Sequence, residues 1–123
     1  MKVMNLTPKN SSQLNGMTVP EMARHADDAA QFLKMMANPH RLMILCHLLE
    51  GEMSVSNINR HLPLSQSALS QHLAVLRNRG MVSTRRDQQT IYYDLANDGI
   101  EAIIGQLYSQ FCQPPELVAI NDA

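Results

Sequence analysis

Residues 65–80 read SQSALSQHLAVLRNRG, and the fold turns on this stretch. Leu69, Leu73 and Leu76 recur on one face of a 3.6-residue period, which predicts an amphipathic helix. Ser65 stands at an N-cap position and Gly80 at a C-terminal stop. Gln66, Ser67, Ser70 and Gln71 project from the other faces. These groups are short or planar. Gln can donate and accept toward adenine, and a Ser hydroxyl adapts to either kind of partner. They fill the first two turns, the part of a recognition helix that enters a major groove.

On the N-terminal side, a short helix starts near Ser54 and carries Val55, Ile58 and Leu62 on one face until Pro63 stops it. Before it, Asn38 caps a helix with Pro39 at its first position, striped by Leu42, Leu45, Cys46 and Leu49 and closed near Glu50 by Gly51. The first helix begins near Pro20 and runs to about Ala37, with Met22, Ala26, Ala29, Ala30, Leu33 and Met36 as its stripe. On the C-terminal side, two alternating runs, 81–86 and 90–95, read as strands joined at a tip of Asp87, Gln88 and Gln89. Asn97 or Asp98 then caps a last helix with Ile100, Ile103, Ile104, Leu107, Tyr108 and Phe111 on its apolar face, ending at Cys112 before Pro114-Pro115. The expected fold is mainly α with a small β-hairpin wing, four helices, a hairpin and a helix: a winged helix-turn-helix. Its domain is expected over 18–113, between a flexible arm at 1–17 and a flexible tail at 114–123.

Composition fits one soluble domain. The chain has 123 residues, 45% hydrophobic and 17% charged, with nine Met and no Trp, so its core must be aliphatic. No apolar run approaches the roughly 20 residues that cross a bilayer, and the first residues lack a signal peptide's apolar centre. Two widely separated Cys make no disulfide framework. The expectation is a cytoplasmic protein with reduced thiols and no membrane partner.

Net charge is −1, but its distribution is uneven. No acidic residue lies between Glu52 and Asp87, whereas Arg60, Arg77, Arg79, Arg85 and Arg86 do, giving that window +5 against −6 elsewhere. One basic segment on an acidic body is the footprint of an anionic ligand. Arg85, Arg86 and Gln88 lie at or beside the hairpin tip, placed for phosphates or a narrow minor groove. Arg77 and Arg79 can contact the backbone or offset a helix C-terminal dipole. Ser65, Gln66, Ser67, Ser70, Gln71 and His72 complete the expected DNA contacts. A single module offers few contacts, so a homodimer spanning two half-sites of double-stranded operator DNA is expected, joined through the first and last helices.

The motif MANPHRL (36–42 here, read from Met36), the run SQSALSQHLAVLRNRGMV (65–82) and the strand IYYDL (91–95) resemble the arsenical-resistance repressor family, ArsR/SmtB, over roughly residues 20–112. The resemblance implies a homodimeric winged-helix repressor that releases operator DNA when an inducer acts. Many members hold metal through Cys-x-Cys near the third helix; here Ser54 and Ser56 occupy those positions. Others use Asp/His pairs on the last helix, yet no His follows His72. Hydroxyls do not replace thiolates for soft metals, so no metal site or cofactor is expected. The remaining pair, Cys46 and Cys112, is similar to the persulfide- and redox-sensing branch of the family (the BigR, SqrR and HlyU type). There, linking two such thiols by a disulfide or sulfane-sulfur bridge lowers DNA affinity, with a reactive sulfur species or oxidant as inducer.

Three other readings compete, of which a winged helix that binds protein only is disfavoured by the basic segment. A metal-responsive repressor would need an unusual site drawn from Cys46, His25, His40 or His47. A thiol enzyme would want a Cys-x-x-Cys or a general base beside Cys46, and neither is evident; the chain is not expected to be an enzyme.

Overall fold

The computed structural model describes residues 16–112. The expected arm and tail fall almost wholly outside that range. Five helices and three strands follow in order: α1 (Val19–Met36), α2 (Pro39–His47) continued by a 3₁₀ turn (Leu48–Glu50), β1 (Met53–Ser54), α3 (Val55–His61), α4 (Gln66–Asn78), β2 (Val82–Asp87), β3 (Thr90–Leu95) and α5 (Asp98–Phe111).

Each helix starts where a side chain satisfies a backbone donor that the helix itself leaves unpaired. Thr18 and Glu21 form a reciprocal capping box on α1. Asn38 accepts from the Arg41 amide at 3.1 Å, Ser54 from Asn57 at 3.2 Å, Ser65 from Ala68 at 3.1 Å and Asn97 from Ile100 at 3.0 Å. Helix α4 also stops by local chemistry. Gly80 adopts φ +75°, its amide donates to the Arg77 carbonyl, and the Met81 amide reaches back to the Leu76 carbonyl. This is a Schellman ending, which brings Met81 back into the core.

The core is aliphatic, as the composition requires. Ile44, Leu45 and Leu48 from α2 and its extension meet Ile58 of α3, Leu69, Leu73 and Leu76 of α4, and Ile100 and Ile104 of α5. No polar or charged residue is buried among the described residues. The α3–α4 turn is pinned by the Asn59 side-chain amide, which donates to the Leu64 carbonyl at 2.9 Å.

Three local expectations are corrected. Helix α2 ends at His47 and tightens into the 3₁₀ turn rather than running on as α-helix to Glu50. The wing is a three-stranded antiparallel sheet ordered β1-β3-β2, not a hairpin alone: Met53 pairs with Tyr93 and Ser54 with Tyr92. A two-residue strand has no alternation to read. Asp87 pairs with Thr90, so the tip is the two residues Gln88 and Gln89, with Gln88 at φ 59°.

The stripe on α1 is only partly taken into the core. Of its expected apolar positions only Met36 is buried, while Val19 is 78% and Leu33 57% exposed. At the other end Tyr108 and Phe111 of α5 are exposed as well, Phe111 at 81%. The large exposed hydrophobic residues among those described are confined to α1 and α5.

Leu73→Ala removes a fully packed side chain from the inner face of α4 and is expected to lower unfolding stability by about 2–5 kcal/mol in urea denaturation. Gln71→Ala, on the outer face of the same helix, should stay within about 0.5 kcal/mol of the parent.

Candidate nucleic-acid interface and thiol pocket

The inner face of α4 is committed to the core, which leaves its polar face outside. Gln66, Ser67, Ser70 and Gln71 are all exposed. The Ser65 hydroxyl is already occupied as the cap, with the Ser67 hydroxyl 3.4 Å away. The first amides of α4 have no partner within the helix and carry the positive end of its dipole, so this end suits a phosphate oxygen. Arg77 is exposed in the last turn, and Arg79 is exposed at the C-cap.

His72 is placed differently. It is half-buried, with its ring centroid 5.7 Å from that of His40 on α2. Burial first, then the charges of Arg41 and His40, push its imidazole below the ordinary value. Arg41 is itself anchored, its Nε donating to the Met35 carbonyl at 2.6 Å. His72 thus belongs to the α2–α4 contact as much as to the outer face.

The basic residues of the wing divide. Arg86 and Gln88 are exposed. Arg85 forms a two-point ion pair with Glu52, Nε lying 3.2 Å from both carboxylate oxygens and Nη2 2.5 Å from Oε1, and its guanidinium stacks 4.6 Å over the Tyr92 ring. Hydrogen bonding to Glu52 raises the arginine pKa, and the same bond holds the Glu52 carboxyl below its usual range. The +5 window therefore keeps its sequence boundary but not its full free charge. The acid just outside it folds onto one of its arginines across 33 positions of chain, a pairing with no local signal.

The two thiols share one pocket. Cys46, half-buried on α2, and Cys112, exposed at the C-cap of α5, line a cavity of about 640 Å³ walled by Leu42, Met43, Leu107 and Phe111. Both are free thiols. Helix α5 places Cys112 there through the Cys112 amide, which donates to the Tyr108 carbonyl at 2.8 Å. Burial raises the Cys46 pKa above the ordinary thiol value, and the proximity of Cys112 raises it further. Ser54 caps α3, and the Ser56 hydroxyl lies 3.5 Å from the Ser54 hydroxyl. Among the described residues, no three His, Cys, Asp or Glu side chains stand together in a way that could hold a metal ion. No described helix is long and apolar enough to cross a membrane.

A raised pKa means less thiolate at a given pH. Maleimide labelling near neutral pH is expected to modify the exposed Cys112 before Cys46, and the difference should narrow as pH rises and Cys46 ionises. Peptide mass spectrometry of a labelling time course reads both rates.

The sequence and the fold have known counterparts. The family model described as "Bacterial regulatory protein, arsR family" matches residues 38–84. Transcriptional activator HlyU of Vibrio cholerae is 47% identical over 97 residues, 79% of this chain and 90% of that protein. The structure of reduced HlyU from the same organism superposes with a TM-score of 0.73, covering 77% of this chain and all of the other. The transcriptional repressor BigR of Xylella fastidiosa superposes at 0.70 with 39% identity, over 77% of this chain and 94% of its own. A homodimeric winged helix-turn-helix DNA-binding domain from Mycobacterium bovis does so at 0.67 with 27% identity, over 77% and 87% of the two chains. Likeness of this extent in both sequence and fold places the chain in the arsR family of bacterial regulatory proteins.

Proposed function

We propose that this chain is a homodimeric, sequence-specific repressor whose affinity for operator DNA falls when Cys46 and Cys112 become linked. The DNA half of the reading rests on the outward Ser/Gln face of a Ser-capped α4 beside an arginine-bearing wing. Family membership and the DNA-binding relative support it.

The dimer half rests on α1 and α5. Val19, Met22, Leu33, Tyr108 and Phe111 leave apolar surface that a monomer would keep in water. A second copy would cover it, and a relative of the same fold being homodimeric supports this reading. Two recognition helices then address two half-sites. Leu33→Glu combined with Phe111→Glu is expected to give a folded monomer by light scattering after size exclusion; a dimer that survives both changes would place the interface elsewhere.

The observation that carries regulation is the shared pocket: one thiol on α2, which packs beneath α4, and one on α5, half of the proposed dimer surface. The chemistry balances with a persulfide or polysulfide donor. One thiolate takes the donor's outer sulfur, and the donor leaves as a thiol. The second thiolate attacks the inner sulfur of that persulfide and expels hydrosulfide, leaving a disulfide. Retaining the extra sulfur as a trisulfide instead passes two electrons and two protons to a second donor molecule, whose S–S bond breaks. Such a link ties α2 to α5 and shifts the spacing of the two recognition helices. A coupling of about 1–3 kcal/mol, or 5- to 150-fold in affinity, is ordinary for a switch of this kind.

Cys46→Ser and Cys112→Ser are each expected to bind operator DNA like the parent and to stay bound after polysulfide treatment, while the parent is released. Release of either variant in a gel-shift titration would remove the paired-thiol switch.

A further inference from the structure

His47 closes α2 and His61 closes α3, and in the fold their imidazoles meet. The ring centres stand 5.3 Å apart with 47° between the planes. The 3₁₀ turn, Gly51 at φ +125° and β1 lie between them in the chain, so no motif announces the pair. Both rings line a cavity of about 480 Å³, which Glu50 and Glu52 line as well. No lysine or arginine lines it. Glu52 is already paired with Arg85, whereas Glu50 is exposed and makes no ion pair among the described residues.

We propose that His47 and His61 form a binding site for a divalent transition-metal ion of the zinc or nickel class, with water completing its coordination. The site shares no residue with the proposed DNA contacts or the thiol switch and stands or falls apart from them. Imidazole nitrogen is a donor suited to these ions, unlike to magnesium or calcium. With the metal about 2.0–2.1 Å from each nitrogen and a tetrahedral angle between them, two ligating imidazoles have ring centres roughly 5 Å apart. The observed spacing is close to that value.

His61 is also held in the tautomer that a ligand needs. Its Nδ1 lies 2.8 Å from the Asn57 carbonyl oxygen, which can only accept, so Nδ1 carries the proton and Nε2 keeps its lone pair. A backbone carbonyl on the far nitrogen is the usual way a metal-ligating histidine is oriented. The surroundings favour a cation: the exposed Glu50 carboxylate stands at the cavity, and each histidine ends a helix, where unpaired carbonyls carry negative partial charge. The other histidine contact, His40 with His72, has the charge of Arg41 beside it and does not suit a cation. Among the described residues no group of three His, Cys, Asp or Glu is placed to hold a metal, so the protein's share is the two imidazoles. An ion there ties the end of α2 to the end of α3.

The test uses the full-length chain without a polyhistidine tag and kept reduced. Zn²⁺ and Ni²⁺ are titrated by calorimetry with Mg²⁺ as the control, and the histidine side-chain ¹⁵N resonances are followed by NMR. One ion per chain is expected, with Zn²⁺ shifting and Ni²⁺ broadening His47 and His61 before His25, His40 and His72, and no response to Mg²⁺. Losing an outer partner of a ligating imidazole typically costs about 10- to 100-fold in affinity. Losing the imidazole costs no less, so His47→Gln and His61→Gln should each weaken binding at least about tenfold, with thermal melts matching the parent. The double variant Cys46→Ser/Cys112→Ser should bind like the parent. Absence of Zn²⁺ and Ni²⁺ binding, first changes at the other histidines, an equal response to Mg²⁺, or loss of binding in the cysteine double variant overturns the site. If a Gln variant does not fold, the resonances of the parent decide.

Discussion

The contact between the inner face of α4 and the aliphatic side chains of α2 orders everything else in this molecule. Leu69, Leu73 and Leu76 are almost wholly withdrawn from water, against Ile44, Leu45 and Leu48. Three leucines on one side of a helix leave it a single stable orientation, and that orientation points Gln66, Ser67, Ser70 and Gln71 outward. The same contact makes α2 the floor beneath α4. Cys46 lies on that floor, so under the proposed switch a change at its thiol would act on an element that α4 rests upon.

The wing is held by different forces. Its hairpin carries little core of its own beyond Val82 and Tyr93. It gains a third strand from Met53 and Ser54 and a surface clamp of Glu52, Arg85 and Tyr92. An exposed ion pair of this kind contributes little stability, typically about 0–1 kcal/mol. What it supplies is position: two-point geometry and stacking fix one side chain against the strand beside it. The consequence for charge is that one arginine of the basic window serves the fold while Arg60 and Arg86 face solvent.

Helices α1 and α5 show the reverse arrangement. Among the described residues their outer apolar side chains, Leu33 and Phe111 included, are left exposed, and the proposed homodimer would cover them. Cys112 sits at the end of α5, next to that surface. The proposed thiol bridge would join that surface to the floor beneath α4.

Much of this was legible in the residues themselves because it depends on short-range rules. Caps at Asn38, Ser54, Ser65 and Asn97, stops at Gly51 and Gly80, and leucines at helical spacing determine where the helices lie and which face of α4 is polar, since each is settled within a few residues of chain. The pairing of β1 with β3, the Glu52–Arg85 clamp and the contact of His72 with His40 were not legible, because each joins residues more than 30 positions apart. Hydrophobic spacing is the same for a covered stripe and an exposed one, and only the packed core shows which positions of α1 are covered among the described residues: Met36 is buried and Phe32 and Met35 pack against the core, while Leu33 is exposed. In the same way, the sequence determined that two thiols exist on two helices, but tertiary structure alone decided that they open into one pocket, since the packing of α5 against α2 is what brings them together.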